Sequence, residues 1–390
     1  MQQYRLSVIF AIEFRKVKKI IKRVLKFIYW FSGAMVVIGL FITKISPNSF
    51  SPAPFIAYST PAWLLLNMSY LFLVFYKKKY WLISGGFLIV GLIGLNDTYA
   101  VNFYQKQGEI RVMSYNVRLF DWYNWIQREE WTEWEERKDN GLILDSIFKS
   151  IRFENPDVIC FQEFFNQPNG KYKTKKEFKR KQGYRYVNDA YSYKEKGSHY
   201  GMATFSKIPI VYKKFIPFVN TQNNGILISD LKKNKDTIRV LNVHLQSFKF
   251  GRENYKYIKG LKDSTIETLN LSKTKDLVSR LNDGFKKRSE QLDLVENQII
   301  NSPYPVILCG DLNEIPLSYV YNNLTNHLCD AFLASGNGLG VTHTSGYPFM
   351  RIDYIMTSPE LQSKSFHLVK KELSDHYPIV SEVSIRDSLK

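Results

Sequence analysis

Val306-Ile307-Leu308-Cys309-Gly310-Asp311-Leu312-Asn313 is an apolar run that ends on a carboxylate and a carboxamide. A core strand avoids such groups unless something binds there. Residues i and i+2 of an extended segment share one face, so the spacing predicts that Asp311 and Asn313 project together from one strand end. A second phrase, Leu373-Ser374-Asp375-His376-Tyr377-Pro378-Ile379-Val380, sets an Asp-His pair against another apolar run. A carboxylate beside a carboxamide, with a separate Asp-His pair, suits metal-assisted attack of water on a phosphate ester.

Working outward, similar strand ends recur upstream. Arg111–Val117 reads as a strand that delivers Asn116, and Pro156–Glu163 as one that delivers Glu163 at its end. Ile238–His244 delivers His244, and Arg351–Met356 carries Asp353. With six blocks in this order, the chain from about Ile110 to its end resembles the endonuclease/exonuclease/phosphatase superfamily. These are Mg-dependent phosphoesterases that include abasic-site endonucleases, DNase I-like nucleases, inositol-phosphate phosphatases and bacterial sphingomyelinases.

The resemblance implies an α+β fold, a four-layer α/β/β/α sandwich of two mixed sheets flanked by helices. It implies an enzyme that hydrolyses phosphoric ester bonds with Mg²⁺, or Mn²⁺, as cofactor. Glu163 would be the principal metal ligand, with Asn116 beside it and Asp375 facing the metal side. Magnesium takes a few carboxylates, waters and substrate oxygens, so one strong ligand suffices. Asp311 would orient or deprotonate the attacking water, and Asn313 would hydrogen-bond the phosphoryl oxygens. That division fits an ionised carboxylate, which only accepts, and an amide NH₂, which donates. Asp353 would fix the tautomer of His376, and His244 would donate as charge grows in the transition state. In nucleases of the superfamily a tyrosine near the Gly201–Lys207 block contacts phosphate; Tyr200 and His199 both compete for that place. Arg288 and Gln291, and Arg351, also match family patterns; Arg288 is a substrate-binding candidate, with structural ion pairing as the other reading. Taken singly, Asn116 is equally a turn residue and Asp311 an Asx turn. His343, His327 and His367 read as ordinary structural residues.

The front of the chain differs in kind. Segments 27–43, 55–76 and 80–96 carry no charge. A membrane-crossing helix needs about 20 apolar residues, with a lower limit near 17. The reading is a membrane anchor over residues 1–100, a bundle of three predicted transmembrane helices, followed by a catalytic domain over 108–390. A cleaved signal peptide is the alternative for the first segment. Arg5, Arg15, Lys16, Lys18, Lys19, Lys22, Arg23 and Lys26 precede the first segment, and Lys77-Lys78-Lys79 joins the second to the third. The positive-inside rule puts both in the cytoplasm and, after three crossings of a plasma or inner membrane, the catalytic domain outside it.

Net charge is +18, which invites a nucleic-acid partner. Residues 1–100 hold twelve Lys and Arg against Glu13 and Asp97, so +10 of that belongs to the front. The Lys-rich stretch 171–181 reads as a solvated loop, or as an attraction for a polyanionic backbone or lipid head groups. Lys249–Lys287 reads as a partly helical insertion. Three cysteines at irregular spacing exclude a disulfide framework, and no Cys/His spacing fits structural zinc. Helices are expected over Trp131–Arg152 and Asp276–Ile300. The function expected is a nuclease-like phosphodiesterase acting at a lipid bilayer. A sphingomyelinase- or inositol-phosphatase-like hydrolase of lipid or sugar phosphates is the alternative, and a non-catalytic scaffold the third. A scaffold would be free to lose Glu163, Asp311 or His376, and all three are present.

Overall fold

The apolar segments at the front fold as helices α1 (Gln2–Ile42), α2 (Ala53–Leu73) and α3 (Lys78–Gly94). The computed structural model describes residues 2–73, 78–102, 104–121, 142–170, 172–195, 197–219, 221, 224–248, 250, 253–254, 257–258, 260, 270–344 and 350–386. These divide into two units, Met1–Asn96 and Asp97–Lys390.

In the front unit the expected segment 27–43 is the second half of a 41-residue helix, because the basic N-terminal half continues it without a break. Lys78 and Lys79 belong to α3, not to a loop; Lys77 lies outside the described residues. Glu13–Ile42 is long and apolar enough to cross a membrane, whereas Trp81–Gly94 is apolar but shorter. Among the described residues, then, one helix meets the test where three were expected. Pro61, Asn67 and several hydroxyls dilute α2, and α3 is short. Polar groups meet at the helix contacts: Asn67 Nδ2 donates to Tyr29 O (3.0 Å) and Ser32 Oγ (3.1 Å), and Ser84 Oγ to Tyr29 Oη (3.0 Å). A Cβ at Gly39 would strike Thr60, and one at Gly91 would strike Leu64, so these glycines permit the close approach.

The second unit starts with β1 (Ile110–Asn116), α4 (Leu142–Glu154), β2 (Val158–Asn166) and α5 (Thr174–Lys181). There follow β3 (Tyr186–Glu195), β4 (Ser198–Ser206), β5 (Ile210–Pro217), β6 (Gly225–Lys233) and β7 (Asp236–His244). The chain continues through α6 (Leu271–Ile300), β8 (Val306–Asp311), α7 (Tyr319–Leu324), β9 (Cys329–Asp330) and α8 (Ala331–Ser335). It ends with β10 (Asp353–Thr357), β11 (Leu361–Leu368) and β12 (Ile379–Ile385). The expected helix over Trp131–Arg152 is described from Leu142; residues 122–141 lie outside the described residues, as does part of Lys249–Lys287.

Two six-stranded mixed sheets result, ordered β11-β12-β1-β2-β4-β3 and β5-β6-β7-β8-β10-β9. Alternation sorts their side chains into layers. Val112, Val158, Val240, Ile307 and Ile355 meet between the sheets. Met113, Ile159 and Phe161 face Ile147, Ile151 and Phe178 of α4 and α5. Leu241 and Leu308 face Leu292, Val295 and Tyr321 of α6 and α7. This is the four-layer sandwich, helices outside and sheets within.

A polar bridge crosses the apolar middle. Gln162 Nε2 donates to Asn242 Oδ1 (2.8 Å), and Asn242 Nδ2 donates to the carbonyls of Phe161 and Ala203 (3.1 Å each). It fixes the two sheets one residue before Glu163 and two before His244. Asn242→Ala strands these buried partners and is expected to lower unfolding stability by about 1–3 kcal/mol. A denaturation midpoint equal to the parent's would show that the bridge adds nothing.

Candidate active site

Strand register assembles the site. β7 runs parallel to β8 with His244 opposite Asp311, and β10 runs antiparallel to β8 with Asp353 opposite Asp311. Three chemistry-bearing side chains thus lie abreast at one end of interior strands of the second sheet. Gly310 makes the arrangement possible, since a Cβ there would strike the Val243 carbonyl of β7.

Asp311 is the hub. It is 1% exposed, and its Oδ2 accepts from Asn116 Nδ2 at 3.0 Å. The same oxygen lies 3.8 Å from His244 Nε2 and 3.8 Å from His376 Nε2. Its Oδ1 accepts from Asn313 N (2.9 Å), which is the Asx turn. Burial is the largest influence on this carboxyl and pushes its pKa up, with Asp353 adding to it; His376, His244 and Asn116 pull the other way. The expectation that Asp311 and Asn313 share a strand face is corrected. β8 stops at Asp311, and Asn313 adopts φ +51°, with Nδ2 donating to Leu245 O (3.1 Å).

His376 sits beside the hub, its Nδ1 2.8 Å from Asp353 Oδ2. Burial opposes its protonation, but Asp353, Asp311 and Asp375 outweigh burial and hold its pKa well above the usual imidazole range. These carboxylates favour its protonated form, and its Nε2 lies 3.8 Å from Asp311 Oδ2. His244 is buried, and among the described residues neither of its ring nitrogens has a hydrogen-bond partner. Asp353 Oδ1 is likewise buried without one.

Glu163 is placed differently from expectation. β2 continues to Asn166, so Glu163 is inside the strand rather than at its end. The pairing with β4 slips between Phe161 and Phe164, and Glu163 takes φ +50° in that bulge. A bulge re-aims a side chain, which lets this carboxylate leave a face otherwise filled by phenylalanines. Glu163 Oε1 is 3.4 Å from Asn116 Nδ2, so Asn116 bridges Glu163 and Asp311.

Of the three residues expected around a metal, Glu163 is the carboxylate without an ion-pair partner among the described residues. Asn116 presents its amide nitrogen to the carboxylates, while its Oδ1 accepts from Arg118 N (3.0 Å). Asp375 is ion-paired to Arg118 (2.7 Å). Burial opposes ionisation of Asp375, but Arg118, His376 and His343 hold its pKa below the usual carboxylate value. A half-buried carboxylate without a cation is the donor a hard divalent ion takes, so the residues fit such an ion at Glu163. Close clusters of potential ligand atoms occur at His343–Asp375–His376 and Asp311–Asp353–His376.

Arg118 and His343 are site residues that sequence reading missed. Arg118 opens four successive residues with φ between 40° and 56°, ending at Asp121. Left-handed non-glycine residues cost about 1–2 kcal/mol each, and the buried Phe120, packed 5.4 Å from the Phe164 ring, holds the turn. His343 was read as ordinary, yet its ring is 5.0 Å from that of His376. Burial, with His376 beside it, pushes the His343 pKa down to about 4, so it is neutral. Its only sequence signal was its polar setting in Thr342-His343-Thr344. Thr342 Oγ1 in turn accepts from Ile352 N (3.0 Å) and Asp353 N (3.2 Å), fixing the start of β10.

The structure leaves the three substrate-binding candidates outside the Asp311 cluster. Arg288 is fully buried, its Nε donating to Glu314 (2.6 Å) and its Nη1 to Gln246 O (2.7 Å), with Phe248 stacked 4.3 Å from the guanidinium. That is the ion-pairing reading. Tyr200 packs on Phe165 (4.9 Å) and His199 on Tyr191 (5.0 Å), both at the start of β4.

Such a strand end, with a buried carboxylate ringed by imidazoles and an open carboxylate nearby, can accept a proton from water while donating to an anion. Residues 113–376 match the pattern of the Endonuclease/Exonuclease/phosphatase family. Residues 22–98 match a domain of unknown function (DUF8431). No curated protein matches. An endonuclease/exonuclease/phosphatase from Beutenbergia cavernae is similar in fold, with TM-score 0.51 and 19% identity over 72% of each chain. A family protein from Bacteroides thetaiotaomicron gives TM-score 0.47 and 17% identity, covering 71% of this chain and 98% of its own. The mannosyl-6-phosphatase of the same species gives 0.46 and 17%, covering 70% and 99%.

Proposed function

Because the chain belongs to the Endonuclease/Exonuclease/phosphatase family, whose members hydrolyse phosphoric esters, we propose that it is a divalent-metal-dependent phosphodiesterase of nuclease type, held at a membrane by its front unit. The observation that carries the reading is the Asp311 Oδ2 oxygen, buried and shared among Asn116, His244 and His376. Water attacks phosphorus in line as Asp311 takes its proton, a transfer that the raised carboxyl pKa favours, and the ester P–O bond opposite breaks to release an alkoxide that solvent protonates. His244 and the His376 imidazolium donate to phosphoryl oxygens as negative charge grows. Asp353 keeps His376 oriented. Asn313 has one amide hydrogen committed to Leu245 O and a second for substrate. A Mg²⁺ ion, or Mn²⁺, held at Glu163 would supply Lewis-acid polarisation of a phosphoryl oxygen.

Membrane attachment is supported by the inside-out character of the front unit. Phe41, Leu65, Leu82 and Ile93 are each more than 60% exposed, while Thr60, Asn67 and Ser84 are buried. Apolar outside and polar inside is the arrangement a bilayer selects. Three crossings, with the hydrolase outside the cytoplasm, is the finer reading and rests on the charge pattern. A C-terminal reporter fusion active only outside the cytoplasm is the expected result; activity inside it excludes that topology.

The full chain in detergent, supplied with Mg²⁺ and offered DNA, RNA, sphingomyelin and inositol phosphates, tests the reaction. Cleavage of an oligonucleotide that stops with EDTA and resumes with added Mg²⁺ is expected. Cleavage of the lipid or the inositol phosphate instead would move the assignment to those esters. A folded protein inert on all of them is a scaffold, and the proposal is then wrong.

A further inference from the structure

The Lys-rich stretch that reads as a solvated loop is the helix α5, and it walls a cavity of about 580 Å³ with β3 and β4. Lys173, Lys176, Lys179, Arg180, Lys194 and His199 line it. Positions three and four apart on a helix are neighbours, so Lys176, Lys179 and Arg180 crowd one face and repel one another. Acidic groups relieve little of this. Lys175 pairs with Asp189 (2.8 Å) and Lys181 with Glu177 (2.7 Å). Among the described residues the other five cations have no ion-pair partner. The local field also acts on His199: burial, then Lys194, holds its pKa below the usual value.

The cavity is tied to the catalytic site by one strand. Asn166 lines it, and Asn166 Oδ1 accepts from Lys175 N (3.1 Å) and Thr174 Oγ1 (3.2 Å), which seats α5 on the end of β2. Glu163 is three residues back on the same strand, about 10 Å away at strand rise. The volume suits a phosphorylated sugar or nucleotide unit.

Resting on the hydrolase reading above, we propose that this cavity is a second anion pocket, taking a phosphate group that the substrate carries beyond the ester being cleaved. Lys176, Lys179, Arg180 and Lys194 bind that phosphate as charge-assisted donors. Esters with two or more phosphates are therefore preferred over those with one. The further phosphate belongs either to a nucleotide strand or to an inositol polyphosphate.

The test uses the full chain in detergent and the variant K176A/K179A, both exposed positions on α5. First, isothermal titration with pyrophosphate in EDTA reads the pocket without turnover; the variant is expected to bind at least tenfold more weakly. Second, kcat/KM is compared between bis(p-nitrophenyl) phosphate, which has one phosphate, and either a pentanucleotide or an inositol polyphosphate. The preference for the multiply phosphorylated ester is expected to fall at least tenfold in the variant, and the arm in which it falls identifies the source. Equal pyrophosphate affinity in both proteins, or preference ratios within twofold in both arms, overturns the pocket. Loss of all hydrolysis by the parent would instead strike the hydrolase reading, while the titration still reads the pocket.

Discussion

Asp311→Asn is expected to leave the fold standing and to reduce turnover roughly a thousandfold, the middle of the range for removing a positioned general base. The side chain keeps its shape, so its oxygen still accepts from Asn313 N and the turn after β8 survives. Its new amide nitrogen then stands where Oδ2 accepted from Asn116 Nδ2 at 3.0 Å, and donor meets donor. Losing that contact costs about 1 kcal/mol. Removing a negative charge that burial, and after it Asp353, disfavours offsets part of it. Stability therefore changes little while the proton acceptor disappears. Melting curves and kcat measured on the same preparation separate the two effects. A kcat within tenfold of the parent, in a folded variant, would remove Asp311 from the chemistry.

What the sequence revealed, and what it hid, follows from how each residue is placed. Asn116, His244 and Asp311 were legible because each ends an apolar run, and a strand's direction is a local property. Their meeting point was not local. It comes from the register that sets His244, Asp311 and Asp353 abreast, and no single segment encodes that. Glu163 shows the limit most clearly. A strand-end reading picked out Glu163 but in the wrong setting, because the bulge arises from the pairing of β2 with β4. Arg118 and His343 enter the site through turns that close only in the fold, one left-handed and one held by Thr342. Burial turned Arg288 from a substrate-binding candidate into a clamp between Glu314 and the Gln246 carbonyl. At the front, charge-free segments marked the helices but not their starts, since the basic half of α1 is helical too.

Glu163→Gln is expected to produce a different failure from Asp311→Asn. Glutamine has nearly the same shape, occupies the same bulge at the same φ and can still accept from Asn116 Nδ2 at its carbonyl oxygen. Only the charge is lost. If Glu163 holds the divalent ion, the Mg²⁺ concentration giving half-maximal turnover should rise at least tenfold. Turnover at practical Mg²⁺ should fall about 10²–10³-fold, the equivalent of several kcal/mol of lost charge stabilisation. Calorimetric titration with Mn²⁺ reads the same change without substrate. Asp311→Asn should leave that titration close to the parent's, because Asp311 Oδ2 is committed to Asn116 and faces two histidines. The pair of variants thus separates ion holding from proton transfer at two carboxylates bridged by one asparagine. Identical Mn²⁺ affinity in the parent and Glu163→Gln would place the ion elsewhere. Asp375 would be the next carboxylate to examine, and its ion pair with Arg118 would then have to open.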